Sequence, residues 1–217
     1  MMRLLVATRN DHKIAEIQAI LGGDVSCLSL KHYPDAPIVA EDAETFSGNA
    51  TKKAQTLAQW LASWELQPAD FPEFVLADDS GLEVDALNGA PGVHSARFAA
   101  RESGAAGNSP DADNNAKLLR LLKEIPKERR AARFRCVLAL VRRGSQPEVT
   151  NAPVQLFAGT CEGSIGFSAS GQGGFGYDPL FTPTGHEKTF AELGAALKNV
   201  ISHRAKALMS LREKLLA

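Results

Sequence analysis

The sequence predicts a single α/β unit. Three features carry that expectation: short apolar runs of strand length, stretches with apolar residues at helical spacing among them, and no internal repeat or long linker. At 217 residues the chain suffices for one large domain or two lobes, since domains run to roughly 100–200 residues. Leu4 to Ala7 reads as a buried strand, and Ile14, Ile17, Ile20 and Leu21 follow at helical spacing until Gly22-Gly23 stops the helix. Val25 to Leu30 is expected to return as a strand. Pro34 to Pro37 breaks the pattern before a helical stretch from about Thr45 to Trp64, with Leu57, Leu61 and Trp64 on one face. The two tryptophans are therefore expected to pack rather than to stack on bases. Phe74 to Ala77 is another apolar strand, which runs into an expected turn at Asp78-Asp79-Ser80-Gly81. Residues 99 to 110 are small, polar and Gly-rich and read as a mobile loop; Asp111 then caps a helix to about Ile125, where Pro126 ends it. Strands are expected at Ala132 to Arg142 and Val154 to Phe167, and an amphipathic helix from about Val200 to Leu216.

Composition excludes several classes of function. Apolar residues at 44% and charged residues at 23% belong to an ordinary folded protein. Lys plus Arg at 24 against Asp plus Glu at 25 leave a net charge of −1, so no broad positive field exists for nucleic acid. The longest apolar run, Cys136 to Val141, is far below the roughly 18 residues of a membrane span. Leu4 to Ala7 is too short for a signal-peptide core, and Cys27, Cys136 and Cys161 are odd in number and widely spaced. The expectation is a cytoplasmic protein with core cysteines and no membrane partner.

Three segments and a scattered set of charged residues hold side chains suited to chemistry. Thr8-Arg9-Asn10-Asp11-His12-Lys13 joins the first strand to the first helix, where free N–H groups and the helix dipole favour an anion. Taken alone, it reads more simply as a helix cap at Asn10 or Asp11 with a solvated Lys13. Asp78-Asp79-Ser80-Gly81 sets two acids and a hydroxyl at the end of an apolar strand, oxygen ligands that suit Mg²⁺. A plain turn would need only one Asp or Asn and a Gly. Gly171-Gln172-Gly173-Gly174-Phe175-Gly176 has the letters of a dinucleotide fingerprint, but Tyr177-Asp178-Pro179 follows and no helical period begins before about Thr189. What remains is a glycine loop whose Phe175 either covers a flat ring or packs in the core. Glu41, Lys53, Lys198, His203 and Arg204 are individually of the kind usually left in solvent, although Asn49 and Lys53 share a helical face.

As a set, these motifs resemble the inosine triphosphate pyrophosphatase family, which hydrolyses non-standard purine nucleoside triphosphates (XTP, ITP, dITP) to the monophosphate and pyrophosphate. The resemblance runs nearly end to end. It begins with Ala7-Thr8-x-Asn10-x-x-Lys13, then Glu41 before Thr45-Phe46, Asn49 and Lys53, and continues through Ala77-Asp78-Asp79-Ser80-Gly81-Leu82. Gly89-Ala90-Pro91-Gly92 with Ser95-Ala96-Arg97, Gly173-Gly174-Phe175-Gly176-Tyr177-Asp178-Pro179, Lys198 and Ser202-His203-Arg204 complete it. It implies an elongated mixed sheet flanked by helices, two lobes with a central active-site cleft, one pyrophosphatase domain over residues 1–217, and a homodimer. It also implies roles: Thr8, Arg9, Asn10, Asp11, His12, Lys13 and Lys53 bind the triphosphate; Glu41 and Asp79 hold Mg²⁺; and Asp79 accepts a proton from the attacking water. Ser80 touches substrate, and Phe175, Gly176, Tyr177, Asp178, Lys198, His203 and Arg204 form the base pocket. The chain departs from the family pattern at Arg9, at His94 and at Ala196-Leu197 before Lys198.

Three rivals are weighed against this reading. A septum-inhibitor-like nucleotide pyrophosphatase shares the fold and the bond cleaved, but Ser202-His203-Arg204 and Phe175 speak against its base preference. A non-catalytic nucleotide sensor would lack one of Glu41, Asp79 or Lys13, and all three are present. A NAD-binding module is opposed by Pro179.

Overall fold

Leu4, Leu5 and Val6 are fully buried, so the first strand is covered on both faces, the condition under which parallel strands occur. In a computed structural model, which describes residues 2–64, 71–104, 107–143 and 153–216, these residues lie in β1 (Met2–Val6). Next come α1 (Asp11–Leu21), β2 (Val25–Ser29), α2 (Phe46–Ala62), β3 (Phe74–Val84) and a short α3 (Ala100–Ser103). The chain continues through α4 (Asp111–Leu121), β4 (Ala131–Arg142), β5 (Val154–Ile165), β6 (Phe181–Pro183), α5 (Phe190–Ile201) and α6 (His203–Leu216). The described strands form a six-stranded sheet in the order β2-β1-β3-β4-β5-β6. β1 pairs in parallel with β2, Leu4 opposite Cys27, and with β3, Leu5 opposite Val75. β5 and β6 run antiparallel, with Ile165 opposite Phe181, so the sheet is mixed and the fold is α/β as expected.

The chain divides into two compact units. The first comprises Met1–Asp79, Cys136–Ala158 and Ala205–Ala217; the second comprises Ser80–Arg135 and Gly159–Arg204. One division falls at the Asp79–Ser80 peptide bond, inside β3. The core of the first unit gathers Leu4, Val6, Ile17, Leu21, Leu76, Leu138 and Leu208. That of the second gathers Leu82, Phe98, Leu118, Phe134, Leu180, Phe181 and Phe190. Phe134 and Phe181 meet edge to face with centroids 4.7 Å apart, an arrangement favoured by the ring quadrupole.

Several elements differ from expectation, each for a local reason. β3 does not stop at Ala77 but continues through Asp78, Asp79 and Ser80 to Val84, because both carboxylates find cationic partners within the first unit. Asp111 is the first residue of α4 rather than its cap; Pro110 holds the cap position, with extended backbone and no side-chain bond. α4 ends at Leu121, short of Ile125. The final helix is divided: Ser202 is extended at φ −69° and ψ 163°, separating α5 from α6, and Gly194 kinks α5 with φ 77°. Thr189, where the helical period was expected to begin, caps α5 in a reciprocal box with Glu192. Within 99–110, α3 forms a single turn and Ser109 Oγ accepts from Ala100 N, while residues 105–106 lie outside the described set. Leu57 and Leu61 are buried, but Trp64 lies past the end of α2 and is 38% exposed. Its ring meets Tyr33, Trp60 and Phe71. Cys136 and Cys161 are buried and Cys27 is half-buried.

Candidate active site

Two side-chain clusters take up most of the residues singled out in the sequence, one in each unit. In the first unit, successive residues of a strand point to opposite faces, so Asp78 and Asp79 meet different partners. Asp78 accepts from Lys13 Nζ at 2.5 Å and from Cys136 Sγ at 3.4 Å. Asp79 accepts from Lys53 Nζ at 3.3 Å and from Asn49 Nδ2 at 3.2 Å. Asn49 and Lys53 sit one helical turn apart on α2, which explains how a single helix face serves one carboxylate. Lys53 Nζ also reaches Glu41 Oε1 at 2.9 Å and the Asp78 carbonyl oxygen at 2.8 Å. Asn49 Oδ1 takes the Ala43 amide at 2.9 Å, tying the segment that bears Glu41 to the same helix.

The electrostatics of this cluster are unbalanced in an informative way. Burial works against the Lys53 ammonium, but the charges of Asp79 and Glu41 together prevail and raise its pKa. Asp79 is raised as well: burial pushes its carboxyl up, and the negative charge of Glu41 adds to that, against the lowering effect of Lys53, Lys13 and Asn49. Two carboxylates thus converge on one ammonium and repel each other. Further positive charge at Glu41 and Asp79 would relieve that repulsion, so these two residues could hold a divalent cation. Among the described residues no group of three or more His, Cys, Asp or Glu is arranged as a metal cage. A pair of carboxylates instead suits a hard cation that shares its remaining positions with substrate oxygens.

The segment from Thr8 through the first turn of α1 is largely occupied with its own backbone. Asn10 Oδ1 accepts from the amides of His12 at 2.9 Å and Lys13 at 3.2 Å, and Thr8 Oγ1 accepts from Asn10 N at 3.1 Å. Asn10 is therefore the cap of α1, as the simpler sequence reading had it, but Lys13 is engaged with Asp78 rather than solvated. Arg9 and His12 are exposed, and Asp11 is exposed and paired with Lys31. From this segment Lys13 joins the carboxylate cluster.

In the second unit the cluster is built around Phe175. Lys198 and Asp178, 4% and 1% exposed, form an ion pair at 2.5 Å. Asp178 Oδ2 also accepts from the amide of Phe175 at 2.9 Å. Lys198 Nζ stands 4.5 Å from the Phe175 ring centroid, and the Arg204 guanidinium carbon stands 5.8 Å from it. Arg204 donates to Ser80 Oγ at 2.9 Å and is 1% exposed. His203 stacks on Phe134 at 4.8 Å with an interplanar angle of 11°. Tyr177 donates its hydroxyl to the Ser95 carbonyl oxygen at 2.9 Å, and burial raises its pKa. Gly174 and Gly176 have φ of 75° and 62°, left-handed values natural to glycine, and a Cβ on Gly174 would strike the Asp178 carboxylate. No helix starts inside 171–176, so the fingerprint letters lack the context of a dinucleotide site.

Three residues of this arrangement were not singled out from the sequence as site residues. Asp111 Oδ2 accepts from Gly176 N at 2.6 Å, and Asn115 Nδ2 donates to Gly176 O at 3.0 Å. Cys136 reaches Asp78. Their spacing to these partners is long in sequence, and only Asp111 and Asn115, four apart on one helix face, left a local signal.

Comparison with known proteins agrees with the motif pattern. Residues 4–214 match the model of the Ham1 family. The chain is 46% identical over 216 residues to a dITP/XTP pyrophosphatase of Geobacter sulfurreducens, covering 99% of this chain and 97% of that one. It is 44% identical over 213 residues to the dITP/XTP pyrophosphatase of Desulforamulus reducens, covering 98% and 94%. Among solved structures, a HAM1 protein of Coxiella burnetii superposes with a TM-score of 0.79 at 34% identity, covering 100% of this chain and 99% of that one. A nucleoside-triphosphatase, dITP/XTP pyrophosphatase, of Mycobacterium abscessus gives 0.70 at 40% identity, covering 97% and 98%. Matching in sequence over nearly its whole length and in fold over all of it, the chain belongs to the Ham1 family.

Proposed function

We propose that this protein hydrolyses non-standard purine nucleoside triphosphates, XTP, ITP and dITP, at the α–β phosphoanhydride bond, releasing nucleoside monophosphate and pyrophosphate. The observation that carries this reading is the Lys53 ammonium set between Glu41 and Asp79, with Lys13 on the neighbouring Asp78. Full-length identity to dITP/XTP pyrophosphatases supports the substrate class. The whole chain, residues 1–217, acts in this reading as one pyrophosphatase domain, as a homodimer and in the cytoplasm. Among the described residues, no helix is long and apolar enough to cross a membrane.

Cleavage at this bond builds negative charge on the departing pyrophosphate. Lys13 and Lys53 are the cations placed to offset it, and losing one such preorganised group costs about 10²–10³-fold in rate. Asp79 orients the attacking water and takes its proton. Asn49 keeps that carboxylate in one orientation by holding Oδ2. Mg²⁺, held by Glu41 and Asp79, would supply charge neutralisation at the phosphates and acidify the water. The Phe175 loop with Lys198, His203 and Arg204 takes the base, offering donors to O6 of hypoxanthine or xanthine.

A panel of nucleoside triphosphates with Mg²⁺, in which phosphate and pyrophosphate are assayed separately, tests the reading. Pyrophosphate as the sole inorganic product from ITP and XTP, with ATP turned over far more slowly and no turnover in excess EDTA, is expected. Orthophosphate released without added pyrophosphatase overturns it.

A further inference from the structure

Phe175 lies in a loop, between the left-handed glycines Gly174 and Gly176, and such a loop has no helix or ladder of its own to fix it. Within the loop, the Phe175 amide is held by Asp178. The next residue is gripped from outside on both sides: the Gly176 N–H donates to Asp111 Oδ2 at 2.6 Å, and the Gly176 carbonyl oxygen accepts from Asn115 Nδ2 at 3.0 Å. Asp111 and Asn115 are four apart on α4, so both project from one helix face. One face of one helix therefore fixes the donor and the acceptor of a single residue, and so orients both peptide groups that flank Gly176, the first of them shared with Phe175. α4 is itself anchored at its other end. The buried guanidinium of Arg130 donates to the carbonyl oxygens of Leu122 at 2.6 Å and Ile125 at 2.9 Å, just past the helix terminus. Asn114 fastens the same helix to the backbone of Ala99 and Ala96. Helix and loop are thus coupled through the backbone of Gly176.

We propose that Asp111 and Asn115 are positioning residues for base recognition, acting through Gly176 to hold Phe175 against Lys198 and Arg204. This inference rests on the pyrophosphatase reading. Both side chains bond to Gly176, so their loss should move the base while sparing the bond-breaking step.

The test combines kinetics with amide exchange. Asn115→Ala and Asp111→Ala should each raise KM for ITP about tenfold and narrow the ITP-to-ATP ratio of kcat/KM, with kcat for ITP within about twofold of the parent, the pattern of a binding group. Asp111→Asn keeps an acceptor oxygen at the same reach and should restore most of the parent KM. Asp113→Ala removes an exposed acid from the same first turn without touching the loop and should leave KM unchanged. Hydrogen exchange in the 174–178 segment should accelerate in the two alanine variants but not in Asp113→Ala. Parent values of KM and of the ITP-to-ATP ratio in both alanine variants overturn the proposal, as does a matching effect of Asp113→Ala. If the parent itself fails to hydrolyse ITP, the pyrophosphatase reading and the role in base choice fall together. The exchange measurement then still decides whether the clamp holds the loop: unchanged exchange refutes the clamp.

Discussion

The carboxylate cluster of the first unit and the Phe175 cluster of the second are both buried and charged, but they are held in different ways. In the first, side-chain charges hold one another: Lys53 bridges Glu41 and Asp79, and Lys13 sits on Asp78. In the second, one ion pair between Lys198 and Asp178 is surrounded by side chains that grip backbone at Phe175 and Gly176. The first arrangement fixes charge and leaves surplus repulsion between two acids, as a site that must receive phosphates and a cation would. The second fixes shape, since a loop of left-handed glycines has to be given one conformation. Damage to the first should therefore appear in turnover, and damage to the second in choice of substrate.

The largest expected effect is at Asp79. Asp79→Asn preserves size and can still accept from Lys53, so the fold should persist while kcat falls roughly 10²-fold or more, the usual loss for a positioned acid–base group. KM for ITP should change much less. Equal damage from Asp78→Asn at equal stability would merge the roles of the two acids, since Asp78 here serves as the partner of Lys13 and Cys136.

Arg204→Ala should have a smaller effect and of the other kind. Hypoxanthine offers an O6 acceptor beside an N1–H donor, whereas adenine offers an amino donor beside a bare N1, so a buried donor aimed at O6 is left unpaired by ATP. Losing one such discriminating bond should narrow the ITP-to-ATP ratio about tenfold, mainly through slower ITP turnover. Guanine shares O6 and N1–H with hypoxanthine, so discrimination against GTP should survive. The ratio is the right quantity to measure, because any folded fraction lost with this buried arginine cancels from it. An unchanged ratio would pass base reading to His203 or to the Phe175 loop.

How much of this was legible in the sequence follows the same division. Asp78-Asp79 stands out because two acids at the end of a buried strand are costly there without partners, whereas Lys13 and Lys53 gain their place only from the resemblance of the whole motif set. What local pattern could not supply was the continuation of β3 through those acids: the lysines that make it possible come from α1 and α2, far away along the chain. The glycines around Phe175 declared a loop, and Tyr177-Asp178-Pro179 after them opposed a dinucleotide fold, yet the i, i+4 spacing of Asp111 and Asn115 did not by itself reveal that Asp111 would leave the capping role to hold Gly176. The break at Ser202 was also hidden, because Val200 to Leu216 keeps an amphipathic pattern across an extended residue. Those features depend on tertiary partners, which periodicity does not encode.

The smallest expected effect returns to Asp79 and sharpens the contrast by measuring what its placement does to stability. Its carboxyl is raised above 3.8, chiefly by burial and then by Glu41. Between 3.8 and the raised value, the folded protein holds a proton that the unfolded chain has already released. Stability contributed at this site therefore falls as pH rises through that window, and it is fully present only below it. Asp79→Asn carries no such proton. In EDTA, urea unfolding of the parent should thus lose ground to Asp79→Asn as pH rises from below 3.8 to neutrality, leaving the inactive variant the more stable of the two at pH 7. Excess Mg²⁺ should reverse the order, because a cation that binds only the folded parent stabilises it by mass action. A variant that is less stable than the parent at pH 7 in EDTA would mean that Lys53 and Asn49 more than offset the burial of Asp79, and that the first cluster is not a strained receptor for charge.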